Sequence, residues 1–249
     1  MDRTAEELAI DLVNKLREIP PESRFIVGVA GSPAAGKSSF CHRLLKIINS
    51  LLEQAELGAP DIQRTVAILV GLDGWHLSRA ELDAFPDPEL AHERRGAHWT
   101  FDGKGYVEFV KALRLPLSPS TASTEIQVIT APVFLHAIKD PTADAVSIFP
   151  HHRLVIIEGL YTYLSIDPWS AASALLDERW FLHVDEAEAC QRLIKRHVET
   201  GICLNENEAR LRAEGNDIPN GRFVEENMLQ PTRFIESVQD MEMAHELDL

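Results

Sequence analysis

The residues best suited to chemistry lie between Gly31 and Ser38, where GSPAAGKS satisfies G-x-x-x-x-G-K-[ST] in full. An apolar run, Phe25 to Ala30, leads into it and an amphipathic pattern starting at Lys37 leads out. Glycines at such a turn let successive backbone N–H groups point inward as an anion nest, and a helix N-terminus adds the positive end of its dipole. The residues expected to hold nucleotide phosphates are therefore Gly31, Ser32, Ala34, Ala35, Gly36, Lys37, Ser38 and Ser39. Lys37 would neutralise β/γ-phosphate charge and Ser38 would offer a hydroxyl to Mg²⁺.

Two carboxylates follow buried-looking strands. Asp73 comes directly after the apolar run Val66 to Val70, and Glu158 ends Leu154 to Ile157. Both should project at the carboxyl edge of an open α/β sheet, where ligands of such sheets bind. A carboxylate there needs a partner, and Mg²⁺ beside a phosphate loop is a natural one. The metal candidates are thus Ser38, Glu158 and Asp73, with Glu158 a ligand either of metal or of substrate.

The elements that must position these groups alternate. Helical stripes are expected over Ala5 to Ile19, Lys37 to Glu53, Gly105 to Leu113 and Glu186 to Glu199. Strands are expected at Phe25–Ala30, Val66–Val70, Glu125–Thr130, Leu154–Ile157, Trp180–Val184 and Phe234–Val238. A charged segment, Asn205 to Arg222, precedes a short helix near Phe223 to Leu229, and Ser78 to Gly103 resembles an active-site excursion. This alternation predicts an α/β three-layer fold, a mainly parallel sheet with helices on both faces and a small helical lid. No internal repeat appears, so residues 1–249 are expected to form one domain with the lid at about 186–222.

Composition narrows the function classes. Against 24 Lys+Arg stand 39 Asp+Glu, a net charge of -15 that disfavours nucleic acid as partner. No apolar run is long enough for a bilayer, the N-terminus reads as neither signal nor transit peptide, and a cytoplasmic location is expected. Cys41, Cys190 and Cys203 show no metal-like spacing. Monomer and homodimer are both compatible with the apolar stripes.

Together with GSPAAGKS, the motifs DGWH at Asp73 to His76, RRGAHWTFD at Arg94 to Asp102 and IIEGLY at Ile156 to Tyr161 resemble one family. It is the phosphoribulokinase, uridine kinase and pantothenate kinase family of P-loop kinases, and the resemblance runs from about Phe25 to the last strand. Within it the sequence is most similar to the uridine kinase-like branch with a DGFH motif, Trp75 standing for its usual Phe. The resemblance implies ATP and Mg²⁺ as cofactors and a small-molecule hydroxyl as phosphate acceptor. It also implies that Asp73 is the base toward that hydroxyl, that Glu158 is metal-associated, and that His76, Arg94, Arg95, His136, Glu158 and Tyr161 face the acceptor. Pro132 to Asp140 resembles a pantothenate kinase segment, with Leu135 departing from the polar residue of relatives. Arg192 and Arg196, spaced i,i+4 on one helix face, would belong to a mobile lid. Arg196 is the better candidate to stabilise the transferred phosphoryl group, and Arg192 lies beside the nucleotide.

These expectations make Asp73, Lys37 and Arg196 the catalytic set. The Arg94-Arg95 pair and His136 suggest an acceptor with an anionic group. The motif Asn216-Asp217-Ile218-Pro219-Asn220-Gly221 also matches the uridine kinase-like branch, without an assignable role. The competing reading is a regulatory or slowly hydrolysing ATP-binding P-loop protein without an acceptor. The strand-end Glu158 and the Asp-Gly-x-His turn suit an acceptor pocket better, and no Asn-Lys-x-Asp segment argues for GTP.

Overall fold

The computed structural model describes residues 2–55, 65–117, 128–135 and 137–237. Five strands form a wholly parallel sheet in the order β2-β5-β1-β6-β7. They are β1 (Phe25–Gly31), β2 (Ala67–Gly71), β5 (Leu154–Glu158), β6 (Glu178–His183) and β7 (Arg233–Glu236). The helices are α1 (Asp2–Glu18), α2 (Lys37–Ala55), α3 (Arg79–Asp83), α4 (Pro88–Glu93), α5 (Gly103–Leu113), α6 (Ser170–Ser173), α7 (Glu186–Glu199), α8 (Glu206–Arg212) and α9 (Ile218–Asn227). Short 3₁₀ turns occupy Leu72–Trp75 and His98–Thr100, and a π turn, Ala213–Asp217, joins α8 to α9.

The continuous apolar runs of β1 and β5 arise because both sheet faces are covered. Phe25, Val27, Val29, Leu154 and Ile156 face a core shared with α1, α2 and α7, including Leu8, Leu12, Leu44 and Leu193. Ile26, Ala30, Val155 and Ile157 face a second core with Tyr106, Val110, Tyr161 and Trp169. Each Val, Leu, Ile or Phe among them taken from water contributes about 1.5–3 kcal/mol, so the central strands are the rigid base of anything built at their ends.

Two elements differ from the sequence-based expectation. The strand expected at Glu125–Thr130 instead runs Ile129–Leu135 (β3) and pairs antiparallel with β4 (Asp140–Ile148), apart from the main sheet; residues 125–127 lie outside the described residues. β4 alternates weakly and is largely exposed, so periodicity did not reveal it. The charged segment Asn205–Arg222, expected within a small helical lid, is helical over most of its length: α8, the π turn and α9 run without a break from Glu206 to Asn227. Gly215 and Pro219 are unfavourable inside a helix, yet the run continues through Gly215 in the π turn and Pro219 in the first turn of α9.

Candidate active site

The phosphate loop is set by β1 on one side and the start of α2 on the other. Gly31 passes so close to β6 that an added Cβ would lie 2.3 Å from the Leu182 carbonyl oxygen. Gly36 sits at φ 80° and Ala34 at φ 56°, so the turn uses left-handed backbone at a non-glycine position as well. The Ser32 amide donates to Leu182 O at 3.0 Å, tying the loop to β6. Lys37 folds back over it, its ammonium donating to Gly31 O at 3.2 Å and to Ser32 O at 3.0 Å. Burial lowers the Lys37 pKa, Glu158 opposes the shift and the nearby Arg196 charge adds to it.

Four groups from three elements meet at this edge. The Ser38 hydroxyl donates to Oε1 of Glu158 at 3.1 Å. Glu158 pairs in register with Val29 of β1 and Gly71 of β2, so it stands at the end of the central strands. Burial raises its pKa and the Asp73 charge raises it further, while Lys37 and the Ser38 hydroxyl pull the other way. Asp73 is exposed in the turn that follows β2. Gly74 lets that turn press on β3, since a Cβ there would lie 2.1 Å from the Pro132 carbonyl oxygen. Among the described residues no group of three or more His, Cys, Asp or Glu could hold a metal by itself. Ser38, Glu158 and Asp73 nonetheless fit Mg²⁺, which usually takes one or two carboxylates and completes its shell with phosphate oxygens and water.

Beside Asp73, His76 is fixed in orientation: its Nδ1 lies 2.8 Å from Asp73 O, which assigns a proton to Nδ1, and its ring packs 3.9 Å from that of Phe101 and 5.0 Å from that of Phe134. Arg95 differs from its expected role as an open anion contact. Its guanidinium donates to Asp140 at 2.9 Å, to Leu77 O at 2.7 Å and to Lys139 O at 2.7 Å, and lies over Phe134. Asp140 also accepts from the Arg79 amide and guanidinium. Burial pushes the Asp140 carboxyl up, but these donors outweigh it and hold the group below its ordinary range. Arg95 thus locks the β3–β4 hairpin to the excursion, sharing the Asp140 carboxylate with Arg79. Arg94 donates to Gly215 O at 2.7 Å. Tyr161 is fully buried, so it stands behind the site rather than in it, and its hydroxyl donates to Gly96 O at 2.7 Å. His136 lies outside the described residues.

The two arginines of α7 divide. Arg192 donates to Ala34 O at 3.2 Å and to the Ser237 hydroxyl at 2.9 Å, and pairs with Glu188. Arg196 is exposed, with its charge felt at Lys37. Asp140 and the His197–Asp217 pair, Nε2 to Oδ2 at 3.0 Å, were missed as site-shaping groups, because each acts on a partner far away in sequence.

No protein-family profile matches the chain. An ATP-dependent kinase-like protein, notR', from Aspergillus versicolor is 46% identical over 158 residues, covering 64% of this chain and 89% of that protein. A Schizosaccharomyces pombe protein provisionally named a uridine kinase is 35% identical over 222 residues, covering 89% of this chain and 87% of its own length. The structure of YFH7 from Saccharomyces cerevisiae, described provisionally as a P-loop kinase with a circular permutation, superposes with a TM-score of 0.79 at 25% identity, covering 95% of this chain and 99% of that one. A Silicibacter structure, provisionally called a fructose transport system kinase, gives 0.72 at 28% identity over 93% of this chain and 98% of the other. With the phosphate loop, the strand-end carboxylates and these relatives in agreement, the chain belongs to the family of uridine kinase-like, ATP-dependent P-loop kinases.

Proposed function

We propose that the protein transfers the γ-phosphoryl group of ATP to a hydroxyl of a small metabolite, with an uncharged sugar or nucleoside favoured over an acid. The observation that carries the reading is the convergence of Lys37, Ser38, Glu158 and the exposed Asp73 at one sheet edge, beside the ring wall of His76, Phe101 and Phe134. The preference for an uncharged acceptor rests on Arg95, whose guanidinium donors are already taken up by Asp140, Leu77 O and Lys139 O. Names carried by relatives, a uridine kinase and a fructose transport system kinase, agree with acceptors of that class.

In this reading the backbone amides of Gly31–Ser38 and the Lys37 ammonium hold the β- and γ-phosphates. Asp73 accepts the proton of the acceptor hydroxyl as its oxygen forms a bond to the γ-phosphorus, and the bond from that phosphorus to the bridging oxygen of ADP breaks. Mg²⁺, held by Ser38 with Glu158 and Asp73 nearby, would offset charge on the phosphate oxygens when bound. Arg196 reaches the transferred group from α7, Arg192 steadies the loop through Ala34 O, and residues 186–222 act as the lid. Tyr161 and Arg95 position the acceptor loop rather than touch the substrate.

The test is ADP release by the purified chain with Mg-ATP across nucleosides, neutral sugars, sugar phosphates and hydroxy acids, with products identified by mass spectrometry. Stimulation by a neutral hydroxyl compound and detection of its phosphate ester is the expected result. Stimulation by anionic compounds alone would overturn the charge preference. ATP binding with unstimulated, slow ADP release across the whole panel would favour the acceptor-free regulatory reading.

A further inference from the structure

The segment Gly215 to Asn220 lies within the lid, and none of its residues has been given a role of its own in the transfer just described. Gly, Asn and Pro are poor helix formers, and two amides buried in a helix are unfavourable unless their bonds are satisfied. Here the π turn gives the chain its continuity, with the Ile218 amide donating back to Ala213 O. Pro219 has no amide hydrogen, so the Gly215 carbonyl four residues earlier receives no ordinary helical bond. That carbonyl accepts instead from Arg94 Nη1 at 2.7 Å. One residue on, buried Asn216 donates to Arg95 O at 3.2 Å, and its own oxygen accepts from buried Asn220 at 3.4 Å. The ring of Phe223 stacks on His98 at 4.2 Å and 4°.

Successive helical residues point roughly 100° apart, so neighbouring side chains grip different elements. Asp217 turns away from Asn216 to His197 on α7, the helix that carries Arg192 and Arg196. From the opposite side the Tyr161 hydroxyl holds Gly96 O at 2.7 Å. The Arg94–Gly96 loop is therefore held between β5's following turn and the π turn.

We propose that Gly215–Asn220 is a positioning clamp. Asn216 and the carbonyl that Pro219 leaves open at Gly215 fix the Arg94–Gly96 loop on the acceptor side, and Asp217 ties the same turn to the nucleotide-side helix. The kinetic consequence rests on the kinase reading above; the clamp itself does not.

The experiment compares the full chain with Pro219→Ala and Asn216→Ala. Trp99 follows the clamped loop and is 37% exposed, whereas Trp75, Trp169 and Trp180 are buried, so iodide quenching of tryptophan fluorescence reports on the loop. Pro219→Ala restores a helical amide to Gly215 O. It is expected to keep or raise the thermal midpoint while Trp99 becomes more quenchable. With an acceptor in hand, both variants should raise acceptor KM about fivefold to tenfold, the worth of one or two hydrogen bonds. ATP affinity should stay within about twofold, as for an independent site. Unchanged quenching in both variants would overturn the clamp, as would acceptor and ATP affinities weakening together in step with a falling midpoint. A wrong kinase reading would show separately, as no turnover by the unaltered chain, and quenching would still decide the clamp.

Discussion

The Ser38 hydroxyl lies 3.1 Å from Oε1 of Glu158, joining the first turn of α2 to the end of β5 across 120 residues of sequence. The bond couples the phosphate loop to a carboxylate whose pKa is raised by burial and by Asp73. A carboxyl with a raised folded-state pKa binds more protons folded than unfolded, so its contribution to stability falls as pH rises above the ordinary value of 4.5 and through the raised value. Glu158→Gln should therefore raise the thermal midpoint of the nucleotide-free protein at neutral pH, with the gain shrinking as pH approaches 4.5 from above. The same variant should need more Mg²⁺ for half-maximal activity. Calorimetry over pH and Mg²⁺ titrations of ADP release check the two effects.

Asp73 is exposed and ends no core contact, so Asp73→Asn should fold normally. Loss of a positioned base costs about 10²–10⁴-fold in turnover. ATP affinity, measured by nucleotide titration, should change little. Turnover within a few-fold of the unaltered chain would remove Asp73 from its assigned role.

Arg192 and Arg196 share a helix face but not a job. Arg192→Ala strips a donor from Ala34 O and leaves Glu188 unpaired, so it should lower both the thermal midpoint and ATP affinity. Arg196→Ala removes an exposed charge and should lower kcat with the midpoint almost unchanged. Parallel melting curves and steady-state kinetics separate the two.

Asp140→Ala removes the acceptor shared by Arg79 and Arg95. The structure should lose about 1–2 kcal/mol, because the half-buried Arg95 guanidinium keeps its other contacts but loses its counter-charge. Because the Asp140 pKa is held below its ordinary value of 3.8, its contribution is present above that pH and is lost as pH falls through the lowered value. The stability gap between variant and parent, read by denaturant unfolding, should therefore narrow only in strong acid.

Local chemistry was legible without coordinates. The phosphate loop depends on contiguous residues, and β1, β5 and α7 announce themselves by apolar runs or a helical stripe, α7 spanning Glu186–Glu199 as expected. Those signals survive because backbone turning, strand burial on two faces and helix periodicity are properties of neighbouring residues. Tertiary structure decided the rest. Whether Arg95 is open to a ligand depended on Asp140, forty-five positions away on a hairpin whose exposed strand carries little periodicity. Whether Gly215 and Pro219 break a helix depended on the π turn and on Arg94 taking the carbonyl that Pro219 leaves open. Composition fixes which groups are available, but their partners come from long-range register and packing, which no local pattern encodes.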